Sequence, residues 1–167
     1  MPDLLIDTFG PDARVRFDET TDAGRTGALA ALETFYAALN QRDLDTLVRV
    51  WPADPLAQLN NPVGGILRGT EAIADLYDKV FHGRVRLTVT FGDIVEYLGA
   101  DHAVFAGRET AEYAVDDGPA VPITFRTTRY LRYHEGRWLQ FHHHGSVDDP
   151  EALAAYQAAV RGEPTTA

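Results

Sequence analysis

The chain has 167 residues, no cysteine and a formal net charge of −10. That length fits one domain able to bury roughly 70% of its unfolded surface, and the missing thiols exclude a disulfide, a thiolate zinc site and a cysteine nucleophile. The acidic balance, with arginines scattered among acids, excludes a nucleic-acid surface, which needs clustered Lys and Arg.

Residues 1–25 mix Gly, Pro, Asp and Thr around one apolar cluster, Leu4-Leu5-Ile6, and read as an N-terminal arm, partly disordered. No stretch approaches the ~20 apolar residues of a membrane span, and the start lacks a basic segment followed by an apolar one. A cytoplasmic protein without a membrane partner is the expectation. From Gly27 the pattern turns helical, with Leu29, Leu32, Phe35, Tyr36 and Leu39 on one stripe. Asp43 is placed to cap a second, short helix carrying Leu44, Leu47, Val48 and Trp51 and stopped by Pro52. A short strand near 56–59 leads to the turn Asn60–Gly65. Thr70 then reads as the cap of a third helix with Ile73, Leu76, Tyr77, Val80 and Phe81 inward.

After Gly83 the period becomes two: Val85, Leu87, Val89 and Phe91 alternate with polar residues. Further strands are expected at about 93–98, 102–114, 121–133 and 137–145. Asp149-Pro150-Glu151 opens a last helix with Leu153, Tyr156 and Val160 as its stripe. Helices followed by long antiparallel strands mean an α+β chain whose curved sheet wraps helices and leaves an open mouth. The division is an arm over 1–25, a domain over 26–148, and a C-terminal helix and tail over 149–167.

The segments "FYAALNQRDLDTLVRVW", "NNPVGG", "RGTEAIADLY", "AVFAG" and "GRWLQFHHHGS" resemble, in that order, the NTF2-like superfamily and its SnoaL-like branch. The resemblance covers about Ala28 to Ser146. It implies a cone of curved antiparallel or mixed sheet around N-terminal helices, an interior pocket and often a dimer. It leaves function open, because relatives include isomerases, cyclases, dehydratases and binding domains. Against ketosteroid isomerase, Phe35 stands where the oxyanion-hole tyrosine belongs, with Tyr36 one position out. Asn61 stands where the general-base aspartate belongs, and Thr128 falls near the second aspartate. Asparagine cannot abstract a carbon-bound proton and phenylalanine cannot donate to an enolate, so that apparatus is missing.

Three consecutive histidines, His142, His143 and His144, end the last strand. If "HEGR" is a hairpin turn, Tyr133 pairs with Trp138, Tyr130 with Phe141, Thr128 with His143 and Arg126 with Gly145. The isomerase comparison turns the Thr128 face toward the pocket. That makes His143 the expected acid–base group, with Arg108 or Tyr130 stabilising an enolate. On the same register Arg108 and Thr110 face inward and Glu109 outward. Phe35, Trp51, Asn61, Tyr77, Thr110, Thr128 and Phe141 would then contact the substrate. The other face carries Arg129, Trp138, Gln140, His142 and His144, and is the expected homodimer surface. A one-residue bulge would exchange the two sets. Two readings stay open beside acid–base chemistry. The histidines could be a satisfied polar strand end, or His142 and His144 could share a metal at about 6–7 Å spacing. No third ligand is in evidence from spacing, so neither metal nor organic cofactor is expected. The sequence thus points to an enzyme of cyclase, dehydratase or isomerase type on a small apolar or aromatic carbonyl metabolite, with a polyketide implied by the resemblance. A non-catalytic binding or assembly module is the alternative.

Overall fold

The computed structural model of the chain describes residues 1–164, so the last part of the tail expected after 149 lies outside the described residues. Four helices, α1 (Arg25–Gln41), α2 (Leu44–Arg49), α3 (Thr70–His82) and α4 (Pro150–Arg161), pack with seven strands. The strands are β1 (Asp3–Leu5), β2 (Gln58–Asn60), β3 (Ile66–Arg68), β4 (Val85–Leu98), β5 (His102–Val115), β6 (Val121–His134) and β7 (Arg137–Ser146). They form one mixed sheet in the order β1-β4-β5-β6-β7-β2-β3, and only the β2–β7 pairing is parallel. This is the α+β, NTF2-like cone that the sequence implies.

Helix α1 fills the cone because its buried surface is built from small residues. Ala28, Ala30, Ala31, Ala37 and Ala38 let the backbone approach the sheet, while Leu32, Phe35 and Tyr36 fill the interior. Gly27 lies at the tightest approach: a Cβ there would stand 1.9 Å from the Asp22 carbonyl oxygen and 2.8 Å from Trp138. Asn40 completes the join by bonding both backbone groups of Val89, at 2.9 and 2.8 Å.

Several local expectations change. Residues 1–24 are laid against the domain: β1 pairs with β4, and Phe9 and Phe91 exchange backbone hydrogen bonds at 2.9 and 2.8 Å. Phe17 sits between the guanidinium groups of Arg49 and Arg137, at 4.0 and 4.3 Å. These contacts replace the partly disordered tail read from composition. Helix α3 begins after Gly69, whose φ is 85°, and the Thr70 hydroxyl donates to the Pro52 carbonyl instead of capping the helix. Strand β4 runs through the expected break at Gly92 by means of a bulge before Val95, where Asp93 takes a φ of 51°. Gly107 is required opposite that bulge, since a Cβ would come within 2.6 Å of the Gly92 carbonyl.

Candidate functional site

The site is set by the phase of three strands. Along β5 the inward positions are Ala103, Phe105, Glu109, Ala111 and Tyr113; along β6 they are Ile123, Phe125, Thr127, Arg129 and Leu131. Arg129 and Glu109 are therefore interior, while Arg108, Thr110, Thr128 and Tyr130 point outward. The expected orientation of these strands is corrected by one residue. The hairpin begins as expected, with Tyr133 opposite Trp138, but between Leu131↔Gln140 and Tyr130↔His142 the residue Phe141 is extra. This bulge brings His143 opposite Arg129 and His144 opposite Thr128.

Two shifts thus meet at His143. It was expected inward with Thr128, and it is inward with Arg129, at 5% exposure. Trp138, Gln140 and Arg129, expected on the outer dimer face, are buried within. His142 and His144 remain outside, and the His142 Nδ1 lies 2.9 Å from the Gln58 carbonyl. Phe141, expected to contact the substrate, packs against the outward-facing His134 and Arg132 and is not in the cavity wall.

Arg129 is 1% exposed and fully engaged on its three nitrogens. Nε donates to the Tyr36 hydroxyl (2.7 Å), Nη1 to Gln140 Oε1 (2.9 Å) and Nη2 to Glu109 Oε1 (2.9 Å). Tyr36 in turn donates to the same Glu109 oxygen at 2.6 Å, and the guanidinium lies 3.8 Å from the Phe35 ring centre. Burial alone would lower the Arg129 pKa, but Tyr36 and Glu109 together outweigh it, so the group stays a cation. Burial raises the Tyr36 hydroxyl well above its ordinary value, against the pull of Arg129. The cation and the acid form a compensated pair, as burial of charge demands.

His143 differs from every member of that network. Both ring nitrogens are buried and take no hydrogen bond. Burial first, and then the Arg129 charge, hold its pKa well below the usual histidine value, so the ring is neutral. It faces an interior cavity of about 80 Å³ whose wall includes Phe35, Asn61, Tyr77, Glu109, Arg129 and His143. Helix α4 covers one side through Tyr156, whose ring centre lies 5.0 Å from that of Tyr113 and 5.8 Å from that of Phe125. Burial pushes the Tyr156 hydroxyl up to about 12. Gln157 ties the helix to the β2–β3 turn by donating to the Val63 carbonyl at 2.9 Å.

Of the residues singled out from sequence, Phe35, Asn61, Tyr77, Arg129 and His143 meet at this cavity. Trp51 is core, with its indole nitrogen unpartnered, and is not part of the cavity wall. Tyr36, Glu109 and Tyr156 were not picked out as site residues. Glu109 had a readable signal, an acid in phase with Phe105, Ala111 and Tyr113. Among the described residues no group of three or more His, Asp or Glu side chains is placed to hold a metal ion. None of the described helices is long and apolar enough to cross a membrane.

Comparison with known proteins agrees with this geometry. The profile of the SnoaL-like domain family matches residues 28–150, and the chain belongs to that family; its fold is NTF2-like. A structure from Thiobacillus denitrificans, provisionally described as a calcium/calmodulin-dependent protein kinase type II association domain, is 29% identical. The match covers 72% of this chain and 94% of that one, with a TM-score of 0.58. A ketosteroid isomerase-like protein from Erwinia carotovora atroseptica is 20% identical over 74% of this chain and 95% of its own, with a TM-score of 0.62. An NTF2-like protein from Streptomyces avermitilis, provisionally described as a dehydratase, is 21% identical over 70% and 90%, with a TM-score of 0.64. The last two speak to fold alone. No curated protein matches the sequence.

Proposed function

We propose that the chain is an acid–base enzyme of the isomerase, dehydratase or cyclase type, acting without a cofactor on a small carbonyl-bearing metabolite. His143 is the acid–base group, and Arg129 takes the electrostatic role first given to Arg108 and Tyr130. The observation that carries this reading is the pair of unpartnered nitrogens on a buried, neutral His143 in the wall of a cavity. A buried polar side chain is ordinarily satisfied, and one left open toward a cavity is what a ligand would complete. Neutral imidazole is a competent base, and the adjacent guanidinium would stabilise negative charge developing on a carbonyl oxygen.

The test begins with binding, because the reaction is unidentified. In protein carrying isotope-labelled histidine, 2-butanone should shift the His143 ring signals and leave those of His142 and His144 in place. His143→Gln, which keeps polarity and approximate size, should weaken 2-butanone binding measured by calorimetry; an unchanged His143 signal at saturating ketone would overturn the reading. Once a substrate is found, the same variant should lose about 10²–10⁴-fold in turnover.

A non-catalytic binding or assembly module is supported by two observations. Arg129 and Glu109 satisfy each other, as a structural pair does, and the Thiobacillus relative is described as an association domain. We also retain a homodimer through the outer sheet face, now resting on Thr128, Tyr130, His142 and His144, since Arg129, Trp138 and Gln140 lie inside.

A further inference from the structure

We infer that the ligand of the inner cavity has two parts, an uncharged carbonyl or hydroxyl head beside His143 and an extended apolar tail lying in a groove between α3 and α4. The inference rests on reading the cavity as a ligand site and names the class of molecule that fits it.

The inner cavity is too small to hold a whole metabolite of the expected kind. Against its outer side lies a second space of about 410 Å³, formed by α3, the start of β4 and α4. Leu76, Val80, Leu87 and Tyr156 belong to the walls of both, so a single layer of side chains separates them. The groove wall is completed by Val85, Ala159 and Val160, and Val160 is 46% exposed, an apolar side chain left in water at the rim. Three cations, Lys79, Arg84 and Arg161, stand at this rim, and Arg84 is held by Asp116 at 2.9 Å. An apolar groove one side-chain layer away from the cavity fits an amphipathic molecule whose tail parts Leu76, Val80 and Tyr156 while its head stands beside His143.

The head must be neutral. Arg129 already shares its charge with Glu109, so an ionised carboxylate would put two full anions against one cation, whereas the partial charge of a reacting carbonyl oxygen does not. A neutral imidazole offers one donor and one acceptor. A ketone accepts from the ring N–H, and its enol or a hydroxyketone meets both groups, whereas a fatty-acid anion brings a charge the chamber does not compensate.

The experiment is a chain-length series. The 2-alkanones from 2-butanone to 2-undecanone are titrated against the labelled protein at pH 7.5, beside alkanoates of equal length, with the His143 signals as readout. Kd should fall about fourfold per methylene until the groove is filled, and the alkanoates should bind at least tenfold more weakly. Val160→Asp, at the exposed rim where folding is undisturbed, should flatten the length dependence and leave 2-butanone unaffected; Ala159→Phe should do the same by filling the groove. Equal affinity for short and long ketones would overturn the groove while the cavity reading survived. Alkanoates binding as well as ketones would overturn the neutral head. Silence of His143 toward every compound would overturn both the inference and the function on which it rests.

Discussion

Both faces of the β5–β6–β7 sheet carry charged and polar side chains, yet they behave as different materials. Inside are Glu109, Arg129, Gln140 and His143; outside are Arg108, Thr110, Thr128, Tyr130, His142 and His144. Outside, water satisfies whatever the protein does not, so an unpaired group carries no information. Inside, each polar group needs a partner, and Arg129, Glu109 and Tyr36 find one another. The Thr127 hydroxyl and the Gln140 Nε2 are also unpartnered there, but His143 has two idle nitrogens and stands in the cavity wall, and this marks it as a functional group. A polar residue is informative in proportion to how little solvent it has.

The strongest way to break the comparison is to remove one charge from each face. Arg129→Met should destabilise by about 3–5 kcal/mol, because Glu109 is left buried without its counterion and Tyr36 loses a donor. Arg108→Met should cost less than about 0.5 kcal/mol: Arg108 is 43% exposed and stands 3.9 Å from Asp148. Urea unfolding of the two variants measures both. Comparable losses would mean that the faces do not differ in dielectric character as argued.

A second prediction sharpens the inside. The folded protein keeps His143 neutral well below its ordinary pKa, whereas the unfolded chain protonates that residue near pH 6.5. As pH falls from about 6.5 toward the folded value, the unfolded state binds one more proton than the native state, and stability declines. The slope from this residue is about 1.4 kcal/mol per pH unit and is absent above pH 7. Unfolding free energies from pH 7.5 to 5, compared between wild type and His143→Gln, isolate the contribution. Parallel curves for the two proteins would show that the ring is not held neutral by the fold.

The cone, its helices and the hairpin turn were legible because periodicity and turn chemistry are local. The 2.0 period of β4 and the Asp149-Pro150 start of α4 needed no tertiary knowledge. The phase of β5 was legible too, since Phe105, Ala111 and Tyr113 declare the inward side. It was misassigned because a comparison with a distant enzyme placed Thr128 in the pocket and carried Arg108 with it. The bulge at Phe141 was not legible. An inserted residue leaves composition and alternation almost unchanged, and its cause lies in how β7 must meet both β6 and β2. The wrong phase and the missed bulge offset each other on β7 beyond Phe141, at His142, His143 and His144, but not before the bulge or on β6, so Arg129 and Gln140 were assigned outward and Thr128 inward.

The smallest expected effects lie on the outer face and test whether the triple histidine is one unit or three. The Gln58 carbonyl can only accept, so His142 donates from Nδ1 and adds a side-chain link between β7 and β2 beside their backbone pairing. His142→Ala should cost about 0.5–1.5 kcal/mol, the usual net worth of such a bond. His144 is exposed and its ring makes no hydrogen bond among the described residues, so His144→Ala should lie within about 0.5 kcal/mol of wild type. Neither should alter ketone affinity at His143, because both rings lie across the sheet from the cavity. If the outer face joins two copies, sedimentation of the double variant His142→Ala/His144→Ala should show weaker self-association with the ketone response intact. Loss of that response in either single variant would mean that the three histidines act together and that the division between the two faces does not govern the site.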